Sequence, residues 1–438
     1  MPSSYFYIMG TFGIFAVSIY RMKRYLYILL CLVAALMTSC RSSFVPIERR
    51  NYEHSDSAFV QYLKDEGIPY THNNKVTILN GAHEKFDSLF NDIRKAKHHI
   101  HLEYFNFRND SINKVLIDLL AIKAKEGVEV RALFDAFGNM SNDSPLKRKD
   151  LEAIRAQGIE IEKFDPVEFP WINHAFSRDH RKLVIIDGRI GYVGGINVAD
   201  YYLNGIEGVG EWRDMHAKVE GPAVNELQRI FLEMWHEGTK TLVEGYEYYP
   251  QHHRGKGTDV AVVDRWPLRT SKAMRDAYVN AINAAKDSIV LINPYFLPIP
   301  KVRKAIEKAI DDGVKVTLLL SAKGDIPMVP DGVWRIGYKL MKRGAHVYMY
   351  TGGFNHSKVM CVDGKFCTIG SANLNSRSLR YDYETNIFVF GEDDTNELQK
   401  YIELDIEKSF KLTEEIYRQR SCWDRFCGWL VVLFTPIL

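Results

Sequence analysis

The chain has 438 residues, of which 46% are hydrophobic and 26% are charged, a composition that is typical of globular proteins and excludes an intrinsically disordered chain. Its formal net charge of +2 is too small to predict a nucleic-acid partner. The six cysteines form neither a CxxC pair nor a Cys/His ligand pattern, so no zinc site or disulfide framework is predicted.

Two apolar runs lie near the N-terminus, at residues 5–20 and 25–39, and each is shorter than a membrane-spanning helix prefers. The segment that starts at Met22 has a basic beginning, an apolar middle and small residues before Cys40, which is the pattern of a bacterial lipoprotein signal. On this interpretation Cys40 is the lipidated first residue of the mature protein; the alternative is a helical hairpin or signal anchor. In both cases the cations at 21–24 stay cytoplasmic, which places the body on the outer face of the cell membrane.

From residue 76 onward, strand and helix patterns alternate. The first half predicts strands at 76–79, 99–105 and 128–134 with helices at 85–96 and 112–125 between them. The second half predicts helices at 272–285 and 301–312 with strands at 288–296 and 314–320. This alternation predicts an α/β fold in which each half is a mixed β-sheet flanked by helices.

An internal repeat relates the two halves. Adding 176 to the residue number carries six residues of the first half onto identical ones in the second: His180, Lys182, Asp187, Gly188, Gly194 and Asn197 onto His356, Lys358, Asp363, Gly364, Gly370 and Asn373. The predicted organisation is a signal or anchor at 1–40 (lipoprotein-like signal 22–40), an extension at 41–74, repeats at 75–250 and 259–415, and an apolar tail at 416–438. The active site is expected at the interface between the two repeats.

Each repeat carries a predicted β-hairpin, because an Asp-Gly turn separates two apolar runs. His180 and Lys182 are two residues apart on the incoming strand and therefore share a face. Asn197 lies about as far beyond the turn as His180 lies before it, so the hairpin should bring this amide beside the other two side chains. His356, Lys358 and Asn373 form the second trio.

Together the two trios supply what displacement at a phosphodiester requires: a nucleophile, a general acid for the leaving oxygen, and positive or hydrogen-bonding groups for the other oxygens. Each histidine also needs a carboxylate to fix its tautomer. Asp214 and Glu384 each lie seven residues before a glycine that ends a strand, so we expect Asp214 to orient His180 and Glu384 to orient His356. Asp187 and Asp363 complete the candidate site residues, although their turn positions indicate a structural role.

The C-terminal segment 422–438 is rich in Trp, Phe and Leu but is too short to span a bilayer comfortably. Two interpretations stay open for it. It lies in the membrane interface, or it is a terminal helix docked on the core.

At these motifs the chain resembles the phospholipase D superfamily and, within it, the bacterial cardiolipin synthases. The likeness extends over about residues 75–438 and includes Gly194-Gly-Ile-Asn197, Trp212-Arg-Asp214 and Gly370-Ser-Ala-Asn-Leu374. It implies a mechanism without metal or other cofactor, in which a phosphohistidine, formed at His180, passes a phosphatidyl group between two phosphatidylglycerol molecules to give cardiolipin and glycerol. It also implies a phospholipid substrate at a membrane surface and no nucleic acid. One departure is Asp179, where such synthases commonly have Asn, and this carboxylate is expected to raise the pKa of His180.

Two other functions use the same residues. Water in place of the acceptor alcohol would make the protein a phospholipase D or a nuclease, and a dead site would make it a lipid-binding envelope lipoprotein. The predicted anchor and the apolar tail favour a lipid substrate, and the two intact motifs argue against a dead site.

Overall fold

The computed structural model describes residues 56–167, 177–252 and 255–436. These residues belong to one unit, Tyr52–Leu438. The predicted signal or anchor at 1–40 lies outside the described residues. Within the described part of the chain, none of the helices is both long and apolar enough to cross a membrane.

The first half follows the predicted alternation and closes with a long helix. Its strands are β1 (Tyr70–Leu79), β2 (His99–Tyr104), β3 (Glu129–Asp135), β4 (Glu160–Phe164), β5 (Lys182–Ile186), β6 (Ile190–Gly194), β7 (Glu211–Arg213) and β8 (His216–Glu220). Its helices are α1 (Asp56–Asp65), α2 (Ala82–Lys95), α3 (Ser111–Lys125), α4 (Ala136–Met140), α5 (Arg148–Arg155), α6 (Tyr201–Asn204) and α7 (Ala223–Thr239).

The second half repeats this plan. Its strands are β9 (Thr258–Arg265), β10 (Ser288–Ile292), β11 (Lys315–Ser321), β12 (His346–Tyr350), β13 (Gly353–Asn355), β14 (Val359–Val362), β15 (Phe366–Gly370), β16 (Glu384–Phe390) and β17 (Ser409–Lys411). Its helices are α8 (Ala273–Ala284), α9 (Pro300–Asp311), α10 (Val329–Arg343), α11 (Ser376–Arg380), α12 (Glu392–Glu407), α13 (Glu414–Gln419) and α14 (Cys422–Leu433).

The strands of both halves form one continuous mixed sheet, in the order β17-β12-β11-β10-β14-β15-β16-β9-β1-β8-β6-β5-β2-β3-β4. The halves join where β1 pairs antiparallel with β9. The predicted fold class is confirmed, with the addition that the sheets of the two repeats are fused. Strands β7 and β13 form a separate parallel pair that links the halves a second time.

Apolar side chains from the sheet and the helices fill three buried clusters, one in each half and one between the halves. Burial of this apolar surface is the main favourable contribution to folding. The predicted strand at 288–296 ends at Ile292 in the structure. Proline at position 294 explains this early end, because it has no N–H to donate to a neighbouring strand.

Candidate active site

Each repeat builds its motif on a tight antiparallel hairpin. Strand β5 pairs with β6 and β14 pairs with β15, as the alternating apolar runs predict. Asp187 and Gly188 have φ values of 53° and 61°, and Asp363 and Gly364 have values of 52° and 65°. Positive φ at both central residues is the requirement of the two-residue turn that matches the twist of the strands, and Asp-Gly meets it at low cost.

The carboxylates of Asp187 and Asp363 bind backbone amides. Asp187 accepts hydrogen bonds from the N–H groups of Lys97, His98 and His99, at 2.7 to 3.0 Å for the shortest contact of each. Asp363 accepts from the equivalent amides ahead of β10, those of Lys286, Asp287 and Ser288. Each aspartate thus fastens the turn of its hairpin to the start of the neighbouring strand, which is a structural role.

The two histidines contact carboxylates, but each takes its carboxylate from the other repeat. His180 Nδ1 lies 3.0 Å from Glu384 Oε1, and His356 Nδ1 lies 2.7 Å from Asp214 Oδ2. The prediction that Asp214 orients His180 and Glu384 orients His356 is therefore wrong. The two carboxylates predicted from the sequence do contact the histidines, but each contacts the histidine of the other repeat.

The backbone explains the exchange. The segment before each histidine runs parallel to the segment before the other repeat's carboxylate: β13 pairs with β7, and Asp179 bridges to Tyr383. The N–H of His180 donates to the carbonyl oxygen of Tyr383 at 3.1 Å, and that of His356 donates to the carbonyl of Arg213 at 2.6 Å. Since Tyr383 and Arg213 directly precede Glu384 and Asp214, each carboxylate is delivered to the histidine of the opposite repeat.

A carboxylate beside Nδ1 favours, in each imidazole, the tautomer that carries its hydrogen on Nδ1. When Nδ1–H donates to a carboxylate, the lone pair is on Nε2, which is the atom left for chemistry. Burial lowers the pKa of His180 well below its usual value, and the positive charges of Lys182 and Lys358 lower it further. Burial, Lys358 and Lys182 act in the same direction on the pKa of His356. Both rings are therefore neutral at neutral pH before a substrate binds.

The two lysines are buried beside their histidines. Lys182 Nζ donates to the carbonyl oxygen of His180 at 2.5 Å, and Lys358 Nζ makes the equivalent bond to His356 and lies 2.8 Å from the Nδ1 of that ring. Burial lowers the pKa of Lys182 to about 8 and that of Lys358 to about 7. A bound phosphodiester anion would favour the charged form of both lysines, because an opposite charge stabilises an ammonium group.

The pKa values of the buried carboxylates are shifted in the opposite direction, upward. Burial raises the pKa of Glu384 to about 7 and that of Asp214 to about 6, while the neighbouring lysines lower both. The site therefore holds two acids and two bases that all titrate close to neutrality. Perturbed pKa values of this kind are common where proton transfer is the task of the site.

A serine that sequence reasoning missed supports Glu384. Ser371 Oγ donates to Glu384 Oε2 at 2.5 Å and accepts from the backbone N–H of Thr385 at 3.0 Å. Its counterpart at the repeat offset of 176 is Gly195, where a Cβ atom would overlap the Asp214 carboxylate. The repeat register was the available signal, because it aligns Gly194-Gly195 with Gly370-Ser371 and shows where the two halves differ.

The two asparagines are buried but differ in their contacts. Asn197 Oδ1 accepts from the backbone N–H of Asn106 at 3.1 Å, and its Nδ2 donates to the hydroxyl of Tyr202 at 3.0 Å. Asn373 Oδ1 has no hydrogen-bond partner among the described residues. Asn197 therefore has partners at both ends of its amide, whereas the described part of the chain offers none to the oxygen of Asn373.

Aromatic rings enclose the two histidines unequally. Four rings lie with centroids 5.6 to 6.2 Å from that of His356, those of Tyr202, Trp212, Tyr295 and Phe354. Phe105 lies 5.1 Å from His180. A cleft of about 610 Å³, whose lining includes Trp212, Tyr202 and Asp214, opens beside this site.

The expected effect of Asp179 on His180 is wrong. Asp179 is fully buried and accepts a hydrogen bond of 3.2 Å from the backbone N–H of Arg181. Burial and the charge of Asp179 raise the pKa of Glu103 well above its usual value. Arg181 also pairs with Glu103 and Asp264. The Asp179 charge is thus balanced within this network, and the pKa of His180 lies below its usual value.

The described residues include no group of three or more His, Cys, Asp or Glu side chains that could hold a metal ion. The site brings paired imidazoles together with ammonium groups and buried carboxylates where the two repeats meet.

Comparison with known proteins agrees with this geometry. Residues 89–235 and 278–406 match the family model described as "Cardiolipin synthase, PLD-like domain". A cardiolipin synthase of Oceanobacillus iheyensis is 36% identical over 387 residues, which cover 88% of this chain and 80% of that protein. One from Listeria monocytogenes serotype 4b is 36% identical over 390 residues, with the same two coverages.

Among solved structures, phosphatidylserine synthase from Haemophilus influenzae Rd KW20 superimposes with a TM-score of 0.67 at 14% sequence identity, covering 87% of this chain and 99% of that one. This likeness concerns the fold. The family model and the sequence relatives go further, and the chain belongs to the phospholipase D-like family of cardiolipin synthases.

Proposed function

We propose that this protein is a cardiolipin synthase-type phosphatidyltransferase that moves a phosphatidyl group from one phosphatidylglycerol to a second and releases glycerol. The observation that carries the proposal is the pair of crossed contacts, His180 with Glu384 and His356 with Asp214. Two imidazoles with their Nε2 atoms free are what a double displacement at phosphorus needs, one as nucleophile and one as general acid and base. The relatives named cardiolipin synthase support the same reaction.

In the first step Nε2 of His180 attacks phosphorus and the bond from phosphorus to the glycerol oxygen breaks. His356 Nε2–H gives its proton to that oxygen, so glycerol leaves as a neutral alcohol. His356 has to be protonated for this step, and the negative charge of the bound phosphodiester raises its pKa toward that state. Asp214 stabilises the resulting imidazolium.

In the second step the hydroxyl of another phosphatidylglycerol loses its proton to His356 while its oxygen attacks phosphorus. The bond from phosphorus to His180 breaks, and cardiolipin forms. Lys182 and Lys358 neutralise the non-bridging oxygens in both transition states. The Oδ1 atom of Asn373, which has no partner among the described residues, accepts a hydrogen bond from a hydroxyl of the substrate.

The substrate is a membrane lipid, so the protein works at a membrane surface. The predicted lipid anchor at Cys40 and the outward orientation of the body stay predictions. Mass spectrometry of the mature N-terminus tests the first, since a diacylated Cys40 supports it and an unprocessed Met1 contradicts it.

Purified protein in phosphatidylglycerol vesicles should release cardiolipin and glycerol in equal amounts, in buffer that contains a chelator. His180→Ala and His356→Ala should each abolish turnover, because neither side of the phosphate has a substitute group. Release of phosphatidic acid without cardiolipin would show a hydrolase instead. Substantial turnover in either variant would contradict the two-histidine mechanism.

A further inference from the structure

The C-terminal helix α14 is docked on the core through one face. Cys427, Gly428 and Val431 are buried against α10. A Cβ atom at Gly428 would overlap the carbonyl of Asp331, so the two helix backbones approach closely at this point. The inner face of the helix therefore follows the interpretation of a terminal helix docked on the core. Because this face is held against α10, the direction of the outer face is fixed.

The outer face of α14 is apolar and exposed. Trp423, Phe426, Trp429 and Leu433 are 69%, 48%, 47% and 50% exposed. The ring centroids of Trp423 and Phe426 lie 5.7 Å apart, and those of Phe426 and Trp429 lie 5.8 Å apart, so the rings form a ladder along the helix. Four large apolar side chains at spacings of three and four residues make a continuous stripe, and aromatic residues of this kind concentrate at membrane–water interfaces.

The chain just beyond this stripe contacts the segment that follows Asn373. Beyond the end of α14, the carbonyl of Pro436 accepts a hydrogen bond of 2.7 Å from Ser376 Oγ, three residues after Asn373. The loop after β11 exposes Ile326 and Met328, at 46% and 39%. The carboxylate of Asp325 in the same loop accepts from the hydroxyl of Tyr295, whose ring lies 5.9 Å from His356.

The first repeat presents a similar rim. Helix α4 directly follows β3, as the exposed loop directly follows β11, and Phe137 and Met140 on it are 37% and 58% exposed. At Gly138 the backbone of α4 lies against Phe105, the ring that packs 5.1 Å from His180. Exposed apolar side chains therefore lie on α14 and on the two elements that contact Tyr295 and Phe105, the rings beside the histidines.

Positive charge accompanies the stripe. Arg335 on α10 lies next to Gly428, and Lys339 is one turn further along the same helix. The pKa of Lys339 is lowered by partial burial and then by the charges of Arg335 and Arg303, whereas Glu307 raises it. Glu307 pairs with Arg303, so Arg335 and Lys339 are the cations left without a carboxylate partner among the described residues. Arg335, Lys339 and Arg425 make no ion pair with any of the described residues. An anionic lipid surface would supply the missing negative charge.

We infer that α14 lies in the headgroup region of an anionic phospholipid bilayer, with Trp423, Phe426, Trp429 and Leu433 inserted, and that this contact turns the mouth of the active site toward the lipid. The inference rests on the proposed function in one respect only, namely that the enzyme takes its lipid substrate from that bilayer. An apolar helix face flanked by cations is the arrangement that binds membranes in the plane of the interface.

Fluorescence quenching tests the contact on the full chain in phosphatidylglycerol vesicles that contain phosphatidylcholine with brominated acyl chains. The difference signal between wild type and Trp423→Gln/Trp429→Gln reports these two side chains alone. It should be quenched by the brominated lipid and protected from aqueous acrylamide. A difference signal that the brominated lipid leaves unquenched would overturn the inference and would mean that water, residues 1–55 or a second copy of the chain covers the stripe.

Activity supplies a second test, with the ratio of turnover on phosphatidylglycerol vesicles to turnover on detergent mixed micelles as the readout. Trp423→Gln/Phe426→Gln/Trp429→Gln should lower this ratio about tenfold, since micelles deliver lipid without requiring a bilayer contact. Val115→Gln/Ile122→Gln on α3, whose side chains are 50% and 53% exposed, is the matched control and should not change it. An unchanged ratio in the triple variant would contradict the inference. Absence of cardiolipin from the wild type would refute the proposed function and leave the quenching result to decide the contact.

Discussion

Replacement of Asp187 separates a structural role of the motif aspartate from a catalytic one. Its carboxylate accepts three backbone N–H bonds, and its φ of 53° suits Asp and Asn far better than Ala. Hydrogen bonds to a charged acceptor contribute about 1.5 to 3 kcal/mol each, and partial exposure lets water replace part of that. We therefore expect Asp187→Ala to lower the free energy of unfolding by about 3 kcal/mol and Asp187→Asn, which keeps one acceptor oxygen, by about 1 kcal/mol.

The assay is urea unfolding of the detergent-solubilised chain, followed by tryptophan fluorescence, alongside kcat at a temperature where each variant is folded. Asp363→Ala and Asp363→Asn are matched controls, because Asp363 binds three amides at the same place in the other repeat. We expect kcat of the folded variants to stay within about threefold of wild type. A fall in kcat of about 100-fold with unchanged stability would refute the structural assignment.

Three further predictions concern the carboxylates that hold the histidines. Ser371→Ala removes the hydroxyl that donates to Glu384, so the pKa of Glu384 should rise further and the acid limb of the pH–rate profile should move to higher pH; an unmoved limb would contradict this role. Gly195→Ala places a Cβ atom on the Asp214 carboxylate and should lower kcat by about 100-fold with a much smaller change in KM, whereas wild-type kcat would show that the site tolerates the displacement. Glu384→Gln tests the raised pKa of Glu384, because a carboxyl with a raised pKa in the folded state stabilises that state fully below pH 4.5 and loses this contribution as the pH rises through about 7. Glutamine does not titrate, so the free energy of unfolding of the variant should rise relative to wild type by up to about 3 kcal/mol across that window. Urea unfolding at pH 4.5 and 8 measures the difference, and a constant difference would show that the carboxyl does not titrate in this range.

Much of the fold was predictable because its patterns are local. The predicted helices at 85–96 and 112–125 correspond to Ala82–Lys95 and Ser111–Lys125, and the Asp-Gly turns fixed both hairpins. The fusion of the two sheets was not predictable, because it depends on the pairing of β1 with β9 across most of the first repeat. Periodicity identifies a strand but not its neighbour.

The same limit applies at the site. The offset of 176 identified Asp214 and Glu384 as candidates but carried no information on which histidine each one meets. That choice depends on contacts between distant segments, such as the bond from His356 N–H to the carbonyl of Arg213. Buried ion pairs hold those segments in place, among them Arg213 with Asp405, which are 192 residues apart. Contacts between segments so far apart in the chain do not produce a periodic pattern in the sequence, so they cannot be predicted from it.

The exchange of carboxylates between the repeats is measured most directly by the ¹⁵N chemical shifts of the two histidines. In protein labelled with ¹⁵N at histidine, Glu384→Gln should move the Nδ1 resonance of His180 and leave that of His356 in place, and Asp214→Asn should do the reverse. The resonances are assigned with His180→Gln and His356→Gln. A shift of the His180 resonance in response to Asp214→Asn, with no response to Glu384→Gln, would show that each histidine contacts the carboxylate of its own repeat.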